Sequence, residues 1–209
     1  MTRGVVSRAL RAFSTRELVI IAVLAALGIA IKPVVVPIAH MVAAPFLIPG
    51  GAFAGGLYMM WLVVGMGLVG KRGTPTLIAL VQALLVMVTG VPGSWGVMSL
   101  VIYTMPGVVM DLGLLLVRHN ACCLRCCFLA GILANVTGTL MVSLVLLLPS
   151  IPLLLALCTA ALSGGVGGVM AWEVLKELHR FHIGTTSSGT AAVDGPHRLT
   201  GPRSRRGVS

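Results

Sequence analysis

Two carboxylates inside apolar runs, a cluster of cysteines and a set of polar stripes hold whatever chemistry this sequence can perform. Asp111 interrupts "YTMPGVVMDLGLLLV" and Glu173 falls near the end of another apolar run. In lipid such groups are costly unless they face protein or water. Asp111 is read either as a functional acid or as half of an ion pair with Arg118 or Arg72, and Glu173 as an interfacial residue. A hydrolase or metalloenzyme needs several convergent acids or histidines, and no such set stands here. The stretch "GMGLVGKR", Gly65 to Arg72, satisfies the first seven positions of a phosphate-binding loop. The eighth, which holds magnesium through Ser or Thr, is Arg72, and the stretch ends an apolar helix instead of following a strand. No nucleotide site is expected.

"CCLRCC" places Cys122, Cys123, Cys126 and Cys127 at a helix entry. Four thiolates suffice for zinc or iron–sulfur, but one straight helix does not wrap four sulfurs round an ion, so no metal and no cofactor are assigned. The uncharged polar groups are more informative. Trp95, Ser99 and Tyr103 recur every fourth residue, as do Asn135, Thr139 and Ser143, and each trio shares one helix face. Gln82, Thr159, Ser163 and His40 add further groups. Trp95, Ser99, Tyr103, Gln82, Asn135, Thr139 and His40 are the candidate substrate contacts, with aromatics to stack on a flat ring and amides to read its edge. The competing reading is an interfacial tryptophan and interhelical hydrogen-bond glue.

These residues are positioned by a membrane protein. Of 209 residues 57% are hydrophobic, only five are acidic, and the mean hydropathy is +1.05, which excludes an ordinary water-soluble domain. The net charge of +10 is scattered between apolar runs, not clustered on a soluble face, so no nucleic acid is expected. Apolar runs long enough for a hydrocarbon core give six spans, near 18–38, 46–69, 74–91, 95–117, 124–148 and 151–175. With a cytoplasmic amino terminus, 14 of the 15 Lys and Arg fall on the inner side and only Lys32 on the outer half, as the positive-inside rule requires. The fold expected is all-α: a polytopic six-transmembrane-helix bundle in the cell membrane with both termini cytoplasmic. Residues 1–16 form a basic amino terminus, retained and not cleaved as a signal peptide. Residues 17–180 form the substrate-binding bundle, and 181–209, rich in Gly, Ser and Thr, form a disordered basic tail.

Small residues recur at four-residue spacing: Gly51 with Gly55, Ala134 with Gly138, and Ala160 with Gly164 and Gly168. They suit close helix packing within the chain. Ala22, Ala26 and Ala30 draw a flat stripe along the first span, opposite Ile20, Leu24, Leu27 and Ile31. Such a stripe gains little against lipid and implies another helix, either the Gly-rich sixth span or one from another protein.

Length, six spans, basic cytoplasmic ends, the alanine stripe and the Pro-containing segment after it together resemble the substrate-capture (S) component of an energy-coupling factor transporter, over roughly residues 15–180. "GSWGVMSLVIYTMPGVVMDL", Gly93 to Leu112, is similar to fourth-helix sequences of that family. The resemblance implies that Ala22, Ala26 and Ala30 dock on a transmembrane T component. It also implies that two ATPase subunits drive uptake, and that Lys32, His40 and "APFLIPGG" (44–51) belong to an outer lid beyond a helix kinked or ended by Pro33 and Pro37. Lys32 snorkelling to headgroups is the alternative for that residue.

The function expected is capture of a small water-soluble vitamin or precursor, neutral or cationic and heteroaromatic, with thiamine-related compounds as the example. A cobalt or nickel carrier would call for a ligand-rich outer amino terminus, unlike "MTRGVV". The alternative is a stand-alone secondary transporter coupled to an ion through Asp111, although no inverted repeat is visible.

Overall fold

A computed structural model of the chain describes residues 13–46, 50–90, 96–117 and 123–181. Arg3, Arg8, Arg11, the middle of the expected lid, Trp95, Arg118, Cys122 and almost all of the expected tail lie outside the described residues. The described regular structure is helical: α1 (Thr15–Ala30), α2 (Lys32–Ala43), α3 (Gly50–Val69), α4 (Thr74–Thr89), α5 (Met98–Val117), α6 (Leu124–Val145) and α7 (Ser150–Arg180), with a 3-10 turn at Ala44–Phe46. Five segments among these residues are long and apolar enough to cross a bilayer: Thr15–Ala43, Gly50–Val69, Met98–Leu116, Leu124–Val145 and Ser150–Arg180. The sixth, Thr74–Thr89, has 16 residues, about 24 Å of helix against a hydrocarbon core of about 30 Å.

The first span differs from expectation. Pro33 and Pro37 do not end it near residue 38. α1 and α2 meet at Ile31, whose φ of −74° and ψ of −27° are helical, and the apolar segment runs on to Ala43. Pro33 sits in the first turn of α2, where a missing N–H costs little, and Pro37 removes one bond inside a helix that carries on past it. Lys32 therefore begins a helix; it is not part of a loop.

α3 is the central helix. It packs on α1, α2, α4, α6 and α7, while α1–α4, α4–α5, α5–α6 and α6–α7 contacts close an arc around it. Leu62, Val63 and Val64 are fully buried at its middle. Backbone meets backbone on the α6 and α7 side. A Cβ on Gly56 would lie 1.9 Å from the Ser163 carbonyl oxygen, and one on Gly167 2.1 Å from that of Gly56. Gly131, Gly164 and Gly168 make the same kind of approach between α6 and α7. Small residues at these positions let the helices come this close.

Polar caps organise the end of the bundle where α1 begins. Ser14 and Glu17 form a capping box, and the buried Glu17 carboxylate also accepts from Lys71 Nζ at 2.7 Å. Asp111 serves as a cap donated by another helix. The N-cap position of α4 is Gly73, with φ of 84° and no side chain to offer. Asp111 of α5 supplies the missing acceptor, taking Gly73 N–H at 3.0 Å, Thr76 N–H at 3.1 Å and the Thr76 hydroxyl. Of the two arginines considered as its ion-pair partner, Arg72 makes no ion pair with Asp111 among the described residues, and Arg118 lies outside them.

Candidate functional site

Toward the opposite end, α2, α3 and α5 bring a cation between two aromatic rings. Lys32 is 3% exposed. Its Nζ donates to the Tyr103 hydroxyl and stands 4.0 Å from the Tyr103 ring centroid and 4.5 Å from that of Tyr58. Among the described residues no carboxylate lies within ion-pair distance of it. Lys32 thus neither lies in a lid nor snorkels. The helix turns it inward because Ile29, Lys32, Val36 and Ala39 share the buried face of the α1–α2 rod.

Gln82 of α4 approaches the same rod one turn earlier. A Cβ on Gly28 would lie 2.2 Å from Gln82 Nε2 and 3.2 Å from the Tyr58 carbonyl oxygen, so the glycine makes room for the amide between α1 and α3. Gln82 is 2% exposed and its Nε2 has no hydrogen-bond partner among the described residues. The hydroxyls of Thr139 and Ser143, one turn apart on α6, are likewise buried without a partner, as is that of Thr104 on α5. Burying polar hydrogens unpaired is unfavourable, and such groups in a native interior point to a water or ligand. Ser99 is fully buried one turn from Tyr103.

The remaining candidates are placed elsewhere. Asn135 is buried, but its Nδ2 donates to the Ala52 carbonyl at 3.2 Å and the Ala160 carbonyl at 2.9 Å, tying α6 to α3 and α7. Its Oδ1 occupies the space beside Gly55. Ser163 works in the same way, donating to Phe53 O and accepting from Gly56 N. Thr159 bonds its own helix at Leu155 O. His40 is exposed two turns beyond Lys32 and rests on Gly50. Lys32 and Tyr58 were not among the sequence candidates. The signal for Lys32 was present: it was the one cation that the charge rule left on the outer half.

Outside the bundle, Ala22, Ala26 and Ala30 are all exposed. Val19, Val23 and Leu27 flank them, also exposed, so Leu27 stands beside the stripe and not opposite it as expected. Ile21, Leu24, Ala25 and Ile29 are the buried side of α1. The glycines of α7, the suggested internal neighbour, face α3 and α6 instead. A separate apolar groove of about 390 Å³ opens between α3 and α7 beside Phe53, Leu57, Val166 and Met170. It lies apart from the Lys32 cluster.

The sequence matches the family described as "ABC-type cobalt transport system, permease component" over residues 16–137. The chain belongs to this family. The matched part of this permease component holds the alanine stripe, Lys32, Tyr58, Gln82 and Tyr103, and ends just before Thr139 and Ser143. A solved structure described as "Crystal structure of an S-component of ECF transporter" superposes with a TM-score of 0.67, covering 81% of this chain and 87% of that one at 21% identity. The permease component therefore has the fold that the resemblance implied. No curated protein matches its sequence. Family, fold and apolar helices together make it a multi-pass membrane protein of a transport system.

Proposed function

We propose that this permease component is the substrate-capture subunit of an energy-coupling factor transporter, binding a flat heteroaromatic vitamin or precursor in the bundle beside Lys32. The observation that carries this reading is the buried Lys32–Tyr103–Tyr58 cluster with Gln82 Nε2, unpartnered among the described residues, one turn away. An ammonium with no carboxylate partner favours a ligand that offers acceptor atoms, and it disfavours a full positive charge beside it. This narrows the expected class from neutral or cationic compounds to those presenting a neutral, acceptor-bearing ring to Lys32. A thiamine-related compound meets this through its pyrimidine, with ring nitrogens accepting from Lys32 and Gln82 and tyrosine rings nearby to stack on. Thr139 and Ser143 offer hydroxyls to the same interior.

The name of the family raises cobalt as a second substrate class. Among the described residues no group of three His, Cys, Asp or Glu side chains converges, and the cluster itself is cationic, which suits a divalent ion poorly. The stand-alone secondary transporter loses its coupling candidate, because the Asp111 carboxylate is taken up in capping α4.

In this reading the chain crosses the membrane six times with both termini cytoplasmic, the short α4 included, since that arrangement keeps every cation but Lys32 inside. The exposed alanine stripe of α1 is the face for a T component, and two ATPase subunits supply the energy. Equilibrium dialysis of the purified full chain against thiamine, its pyrimidine alcohol precursor and Co²⁺ tests the substrate assignment. Saturable binding of an organic ring, weakened about 10- to 150-fold in Lys32→Met, supports it; stoichiometric Co²⁺ binding with no organic ligand overturns it.

A further inference from the structure

We propose that Cys123 and Cys126 form a reversible dithiol–disulfide site at the start of α6. Cys123 is the N-cap residue of α6, with extended φ of −145° and ψ of 158°, and Cys126 stands three residues on, in the first turn. Their sulfurs are 2.9 Å apart, so closing to the bond length of about 2.05 Å needs a movement of about 0.9 Å. Residues three apart at a helix start lie side by side, and side-chain rotation supplies that movement without breaking the helix. Cys123 is part-exposed and Cys126 buried, which sets the order of events. By sequence the cluster reads as reduced thiols or small apolar residues at a helix entry, with a disulfide framework and a metal site set aside; the close approach of Cys123 and Cys126 is what points two of its sulfurs to redox chemistry.

The oxidant is a small soluble disulfide such as glutathione disulfide. The Cys123 thiolate attacks one of its sulfurs, forming a mixed disulfide and releasing one thiol, which takes up the proton lost from Cys123. The Cys126 sulfur then attacks the Cys123 sulfur, forming the internal bond and releasing the second thiol with the proton from Cys126. Two electrons pass from the cysteine pair to the glutathione disulfide, and two glutathione molecules leave. Cys127 is also buried, with its backbone held against Gly168 of α7, and the variants below distinguish its sulfur from that of Cys126.

The test uses the full chain in detergent, equilibrated with glutathione buffers from reducing to oxidising and quenched by alkylation. Trypsin cuts after Arg125, between the two cysteines, so only a disulfide keeps the two fragments joined, and Cys122→Ser/Cys127→Ala assigns the link. The expected result is a fragment pair joined through Cys123 and Cys126, reversed by reduced glutathione. Cys126→Ala should accumulate glutathione on Cys123 instead. In the natural chain, N-ethylmaleimide should modify Cys123 about tenfold faster than Cys126, which requires no variant to fold. A link from Cys123 to Cys122 or Cys127, or glutathione adducts with no internal bond in the natural chain, overturns the proposal.

Discussion

Ala25 and Ala26 are neighbours in sequence about 100° apart around α1, one turned into the bundle and one out of it, and replacing each with leucine separates folding from assembly. Ala25 is fully buried and Ala26 exposed. Leucine at 25 forces three extra carbons into filled space, which costs about 1–3 kcal/mol, equivalent to a fall of about 3–10 °C in melting temperature for a chain of this size. Leucine at 26 meets lipid in the isolated subunit and should leave that temperature unchanged. Its cost falls on the complex, because a helix seated on the alanine stripe must be pushed away. The same about 1–3 kcal/mol then appears as about 5- to 150-fold weaker association. The assay is co-expression of a tagged subunit with T component and ATPase subunits, followed by measurement of the recovered complex and of thermal unfolding of the subunit alone. Undiminished complex recovery with Ala26→Leu would refute the docking role of the stripe. An equal loss of thermal stability in both variants would refute the assignment of faces.

Other substitutions probe the interior. Lys32→Met should weaken binding of the organic ligand by about 10- to 150-fold, the worth of a hydrogen bond from a charged donor, as read by equilibrium dialysis. Gln82→Leu should weaken ligand binding yet raise the stability of the empty protein by about 1 kcal/mol, since it removes an unpartnered buried amide; thermal melts with and without ligand separate the two effects. Asp111→Ala should cost about 2–3 kcal/mol in unfolding experiments by stripping the α4 cap, with Asp111→Asn losing about half of that. Gly167→Ala drives a methyl onto the Gly56 carbonyl and should destabilise the fold by about 3 kcal/mol, measured by loss of monodisperse protein on heating.

The all-helical fold was legible because apolar run length is a property of the sequence itself, and most helix boundaries fell within a few residues of the expected ones. The first span was misjudged beyond residue 38 because proline chemistry was weighed without its position: in a first turn, Pro33 costs almost nothing. Interhelical geometry was not legible. Asn135 and Tyr103 both read as polar or aromatic groups on a helix face, and only the neighbours decide that the first ties three helices together while the second receives Lys32. Asp111 shows the same limit, since its partners are backbone N–H groups that no sequence pattern marks. The alanine stripe was readable as a face, and its exposure is what three-dimensional packing added.

Ala30 and Lys32 are two residues apart on one helical rod, which sets them roughly 200° apart around its axis. The alanine stripe and the ammonium are therefore two sides of one helical rod, because Ile31 keeps helical angles between them. Should a partner helix seat on that stripe, a tilt it imposes on the rod reaches Lys32 and its two tyrosines as well.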